Sequence, residues 1–273
     1  MTSGRNPDLP SEGLGGVPAL ARAEKSRRYH DIPVRPQVNC MKQRLRRVAG
    51  LTRGVVYDLA EWIVSSLPGA LGVALRYFYW KRRLRCVGEG VRIGVGVRIY
   101  GPEWVTIGDH CWIDDGVIII AGPTADEGRF VHRKDNPKFQ FKEGEVVIGA
   151  RVHIAPFVLL QGHGGLSIGS SLTIAAGAKV YSLSHHYRDL TGRGASDTVW
   201  KFVGLVPAEE QALICGPVVI EDNAAVGLNS VVLPGSTIGQ NSWLGAMSLL
   251  QGEMPADVIA SGVPARVVQR RFC

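Results

Sequence analysis

A chain of 273 residues is long enough for one full core and a smaller appendage. Its five cysteines (Cys40, Cys86, Cys111, Cys215, Cys273) form no CxxC or other close pair, which argues against a disulfide framework or a zinc ribbon and fits a reducing, cytoplasmic setting. The net charge of +7 is uneven: residues 1–85 hold sixteen Lys/Arg and six Asp/Glu, the remainder fifteen and eighteen, so a nucleic-acid role for the body has little support.

Residues 1–40 are rich in Pro, Gly, Arg and Ser without apolar periodicity and read as a flexible tail; no secretory signal is visible. Residues 41–87 read as a helical hairpin. Leu45, Val48, Thr52, Val55, Leu59, Trp62 and Ile63 step by three or four. Pro68-Gly69 breaks that stripe. A second helical piece follows with Leu71, Ala74, Leu75 and Phe78 on one side, ending in Lys81, Arg82, Arg83 and Arg85. The longest uncharged run, Trp62–Leu75, has fourteen residues; a membrane span needs about twenty. Two roles remain for 41–85: a cap on the body or a subunit contact, and a peripheral membrane contact through aromatics beside Arg and Lys.

From Ile93 the pattern changes. Large aliphatic residues recur every six positions: Ile93 and Ile99, then Ile107, Ile113 and Ile119, then Ile148, Ile154 and Leu160, then Ile168, Ile174 and Val180. The longest run is Ile220, Val226, Val232, Ile238, Leu244 and Leu250. A small residue follows by one at Gly227, Gly239 and Gly245, and by four at Ala224, Ser230, Ser236, Ser242 and Ser248. Neither a helix nor a simple strand repeats every six residues. A short strand plus a tight turn does, with one aliphatic side chain pointing inward on each face of a triangular tube. The ladder stops past Leu250.

Two stretches interrupt the coils. Residues 121–145 are charged, with Arg129, His132, Arg133, Lys134 and Lys138. Residues 182–216 form a longer excursion, in which Trp200 and Phe202 offer packing surface. Such insertions leave a solenoid as loops on one face and are usually functional. The second opens with Ser184-His185-His186-Tyr187-Arg188-Asp189. A histidine with an ordinary pKa of about 6.5 can accept a proton at neutral pH. Either His185 or His186 can be the inward imidazole, with Asp189 as a candidate to orient it. No Cys or Ser stands in an evident nucleophile motif.

The hexads, the Ser184-His185 pair, the long loop, the closing repeat block and Gly262-Val-Pro-Ala-Arg266 together resemble the hexapeptide-repeat O-acetyltransferases of the sugar, maltose/galactoside and xenobiotic type. The resemblance covers about residues 88–270. It implies an all-β fold, a left-handed parallel β-helix over 88–273, against the usual crossover hand. It further implies a homotrimer, acetyl-CoA as co-substrate, no metal, and direct transfer to a sugar hydroxyl with His185 as base. Carried over by position, the coenzyme A contacts fall on Gly227, Leu228, Ala246, Gln251 and Arg266, and the acceptor contacts on His163 and Phe157. Ala225 and Gly252 depart from the Trp and Lys often found there, leaving Arg270 or Arg271 to replace the lysine. The helical, basic N-terminus resembles relatives that serve polysaccharide assembly and suits the inner face of a membrane. Two other classes share the fold: γ-type carbonic anhydrases, whose H-x4-H spacing His153, His163, His185 and His186 do not offer, and non-catalytic scaffolds.

Overall fold

The computed structural model describes residues 59–186 and 200–272. The expected tail, residues 41–58 of the hairpin, and Asp189 fall outside the described residues. From Cys86 onward the chain winds a left-handed parallel β-helix with three flat faces. The first face has seven strands, from Cys86–Val87 to Glu253–Met254, and the third has six, from Arg98–Tyr100 to Leu249–Leu250. The second face has eight, the last two being Val258–Gly262 and Ala265–Arg270.

The register explains the period of six. Ile93 pairs with Ile113, Ile113 with Ile154, Ile174 with Val226, and Val226 with Leu244. Each face therefore stacks aliphatic on aliphatic along the axis, and all seventeen expected inward positions are at most 5 % exposed. Burying each such side chain contributes roughly 1.5–3 kcal/mol. The ladder does not stop at Leu250, contrary to the sequence reading. Met254 pairs with Ile238 and Ala260 with Leu244, both buried. The step from Leu250 to Met254 is four rather than six because that corner is shorter, which hides the next coil from a six-residue search.

The small residues have separate jobs. The Ser230, Ser236, Ser242 and Ser248 hydroxyls are buried at corners and bridge consecutive coils. Ser242 Oγ, for example, donates to the Pro255 carbonyl at 2.7 Å and accepts from the Val258 N–H at 3.1 Å. This satisfies backbone groups that would otherwise be buried unpaired. Gly227 is required by close approach: a Cβ there would lie 2.5 Å from the Ala246 nitrogen on the next coil.

Two helices close the N-terminal end. Helix α1 is described over residues 59–66, and α2 spans Gly69–Lys81, separated by Pro68 as expected. Helix α2 packs through Gly72, Arg76 and Trp80, and Trp80 joins the aliphatic core. The buried Arg76 guanidinium donates to three backbone carbonyls: Ile93 at 2.6 Å, Leu67 at 2.5 Å and Val64 at 3.3 Å. The described part of this segment thus packs on the first coil. The apolar side read from sequence, Leu71 to Phe78, is nevertheless exposed, with Ala74 and Phe78 edging a groove against Gly90, Val91 and Arg92. At the other end, Arg271 donates to the carbonyls of Asn223 and Asn241.

Both excursions leave the prism at the same corner, between the third and first faces. They are not structureless. Phe130–Arg133 from the first runs parallel to Ala212–Cys215 from the second, which runs antiparallel to Leu183–His185. Trp200 is buried against Phe130, with ring centroids 4.4 Å apart, whereas Phe202 is exposed. The first excursion then lies along the first face as a strap. Asn136 donates to Thr237 Oγ1 at 2.8 Å, and Lys138 pairs with Glu221 at 2.9 Å. Under it Val219 and Thr237, whose side chains alternate with the inward rungs, are buried.

Candidate active site

The root of the second excursion is pinned by its neighbours. Ser182 is buried; its hydroxyl donates to the Gln161 carbonyl at 2.8 Å and accepts from the Gly164 N–H at 2.9 Å. Gln161 Oε1 accepts from the Leu183 N–H at 2.9 Å. The chain leaves this anchor directly into the strand ending at His185, whose partner across the ladder is Leu213. His185 is exposed and lines a cleft of about 350 Å³ with Gln161, Tyr181, Ser184, Leu213 and Val231. His186 follows, half-buried, its N–H donating to the Ala212 carbonyl at 2.8 Å.

His163 occupies the same corner one coil earlier. Its Nδ1 lies 2.8 Å from the Gly122 carbonyl oxygen. A carbonyl only accepts, so Nδ1 carries the proton and Nε2 of the neutral ring offers a lone pair. A fourth imidazole is differently employed. His153 on the second face contacts Asp114 Oδ2 through Nε2 at 2.9 Å and packs against Trp112.

Gly227, Leu228 and Ala246 lie together at the corner between the second and third faces, on adjacent coils; the Leu228 carbonyl accepts from the Met247 N–H at 2.8 Å. Arg266 is one step further along the axis, paired with Ser261, whose Cβ would meet a side chain at Gly245. Phe157 sits at this corner too, 72 % exposed and with φ 61°. Gln251 is apart from them, just past Leu250 at the corner that carries the histidines. Arg271, bonded to Asn223 and Asn241, belongs to the remaining corner. Within one chain, His163, His185 and Gln251 thus occupy one corner, and Phe157, Gly227, Leu228, Ala246 and Arg266 another. Gln161 and Tyr181 join the histidine cleft without having been read from sequence. Their signal was position: each stands one residue past an inward rung, at Leu160 and Val180.

The described thiols near the loops are poor nucleophiles. Burial, reinforced by the charge of Glu143, pushes the Cys215 thiol up to about 11. Burial also raises Cys111. Arg133 is braced between Glu143 at 2.6 Å and Asp126 at 2.8 Å, holding the outer strand of the loop sheet. Among the described residues no three His, Cys, Asp or Glu side chains gather as metal ligands.

Stacked coils with two excursions at one corner, an imidazole beside a cleft, and glycine-lined neighbouring corners define a left-handed β-helix protein of the hexapeptide-repeat class. No family model matches the chain. It is 31 % identical over 159 residues to the carnitine operon protein CaiE of Escherichia coli K12, spanning 57 % of this chain and 69 % of that protein. It is 26 % identical over 187 residues to the dTDP-4-amino-4,6-dideoxy-D-glucose acyltransferase of Escherichia coli, covering 68 % of this chain and 82 % of the relative. The galactoside O-acetyltransferase of Escherichia coli K12 is 26 % identical over 166 residues, 61 % of this chain and 64 % of that enzyme. The chain belongs to the hexapeptide-repeat acyltransferase family and is an acyltransferase. Among solved structures, a variant of the Bacillus cereus N-acyltransferase AntD, in complex with dTDP-4-amino-4,6-dideoxyglucose and coenzyme A, shares the fold. Its TM-score is 0.57 at 23 % identity, over 72 % of this chain and 89 % of that one.

Proposed function

We propose that the protein transfers an acetyl group from acetyl-CoA to a hydroxyl of a sugar or saccharide precursor, with His185 as general base. The observation that carries this is the placement of His185: exposed, at the end of a paired strand, beside a cleft whose other lining includes Gln161 and Tyr181. His185 takes the acceptor's hydroxyl proton as its oxygen attacks the thioester carbonyl. The C–S bond breaks, and the imidazolium returns its proton to the departing thiolate. No covalent intermediate on the chain is needed, which suits the buried, protonated thiols. Backbone N–H groups at the coil corners supply donors for the developing oxyanion.

Gly227, Leu228, Ala246 and Arg266 form an axial line along one corner that fits an extended thiol cofactor. Gly227 keeps that line free of a side chain, and Arg266 offers charge to a phosphate. Gln251 is assigned to the cofactor as well, from the other corner. His163 and Phe157 are assigned to the acceptor, His163 through Nε2. Because these residues divide between two corners of one chain, a complete site needs a second copy. We therefore assign a homotrimer with sites between subunits. A saccharide acceptor carried on a lipid suits a position at the inner face of a membrane.

His185→Ala tests the reading by thiol release from acetyl-CoA with sugar acceptors. Turnover is expected to fall about 10²–10⁴-fold with the assembly intact, the usual weight of a general base. Full activity removes His185, and His186→Ala is then the decisive variant. Mild alkali cleaves an ester and spares an amide, so the stability of the acetylated product separates O- from N-transfer.

A further inference from the structure

Helix α2 is amphipathic in the opposite sense to a packed helix. It buries Gly72, Arg76 and Trp80 and turns Leu71, Leu75 and Phe78 outward, 69 %, 38 % and 54 % exposed, with Ala74 between them. A helix at the edge of a globular body ordinarily hides such a stripe. Helix α1 adds exposed Leu59, Trp62 and Ile63.

The stripe has a charged end. Lys81 and Arg82 follow Phe78 by three and four residues, the spacing of one helical face, and both are exposed. Among the described residues of α1 and α2 the only acid is Glu61, which is engaged by Arg83 at 2.9 Å and lies 3.8 Å from Arg98. No described carboxylate of these helices is left to face the stripe. A second copy laid symmetrically on this surface would bring its own Lys81 and Arg82 toward the same cations. An anionic lipid surface supplies what both halves lack: an apolar layer for the leucines and phenylalanine, and phosphates for the cations.

We propose that the outward stripe of α2 docks the protein on an anionic bilayer. Leu71, Leu75 and Phe78 enter the boundary between headgroups and acyl chains, and Lys81 and Arg82 pair with lipid phosphates. The contact is peripheral: no helix among the described residues is long and apolar enough to cross a membrane. It names the surface behind the membrane position suggested above, but rests on none of the catalytic assignments.

Flotation of the full chain with vesicles of phosphatidylcholine, alone or mixed with phosphatidylglycerol, tests it without any turnover. The protein is expected to float with the mixed vesicles, and less so at high salt. L71Q/L75Q/F78Q should lose binding about tenfold or more, since three apolar side chains no longer leave water, while solution acetyl transfer is unchanged. K81E/R82E should weaken binding and flatten its salt dependence. Equal flotation of the triple variant would show that the basic residues 1–58 alone hold the vesicle, and the proposal fails. It fails too if the parent floats with neither vesicle, or if the triple variant changes assembly mass by light scattering with no effect on vesicles. Should the triple variant not fold, F78Q alone decides, flotation equal to the parent's counting against docking.

Discussion

His185 stands directly opposite Leu213 in the antiparallel ladder between Leu183–His185 and Ala212–Cys215. The proposed base is thus held by the returning limb of its own excursion. That limb is the central strand of its sheet, flanked on the other side by Phe130–Arg133.

Replacing Leu213 by Pro should loosen this support, because proline cannot donate in a central strand. The expected result is a fall in kcat of about tenfold or more, as misplacing a reacting group costs heavily. KM for acetyl-CoA should be unchanged. Steady-state kinetics on both substrates check this; a change confined to the acetyl-CoA KM would contradict it.

Ile154 lies between Ile113 and Ile174 on the second face and is fully buried. Ile154→Ala should cost about 2–5 kcal/mol through lost burial and the cavity left behind. Chemical denaturation of the assembled protein measures it. A loss below ~1 kcal/mol would mean that neighbouring rungs can collapse into the space.

Glu145 enters the third coil beside Arg85. Burial works to raise its carboxyl pKa, but Arg85, the Lys142 N–H and nearby charge outweigh it and hold the group below its ordinary value. A depressed carboxyl contributes stability that is present above its unfolded pKa, about 4.3, and lost as pH falls through the lower folded value. The parent should therefore lose stability as pH falls below about 4.3, and Glu145→Gln should flatten that part of the profile. Thermal melts across acid pH give the comparison.

Arg266→Ala should raise KM for acetyl-CoA about tenfold, the weight of one charge-assisted contact, and leave the acceptor KM near its parent value. The ring of Phe157 lies against Gly116, and its backbone holds a left-handed conformation that favours Gly or Asn. Phe157→Asn is expected to keep or slightly raise stability while raising the acceptor KM.

The prism was legible because one inward aliphatic per face is a geometric demand, met at every rung from Ile93 to Leu250 although the step of six breaks four times, at the two excursions and at the longer corners after Ile99 and Leu160. The family resemblance, rather than periodicity, carried the hand of the coil. The loop sheet was not legible. Its partners, such as Phe130 and Ala212, are 82 residues apart, and its strands of three or four residues carry no alternation to betray them. The direction of α2 was hidden for another reason. Its packed side is specified by Gly72, where a Cβ would strike the Leu67 carbonyl oxygen, and by an arginine whose partners are all backbone oxygens. At the candidate site, the histidine announced itself by its place before a long excursion. Gln161 and Tyr181 carried only the weaker mark of standing one residue past a rung, which does not tell what will cover them.

The strap has a mechanical outcome. Nearest-neighbour stacking alone would let a solenoid melt inward from its ends, coil by coil. Here a segment inserted between the second and third coils fastens through Asn136 and Lys138 to Thr237, Glu221 and Glu253, several coils away. That buckle ties early rungs to late ones, so the stack should yield in a single concerted step, and chains shortened from the C-terminus should fail outright instead of losing stability by degrees.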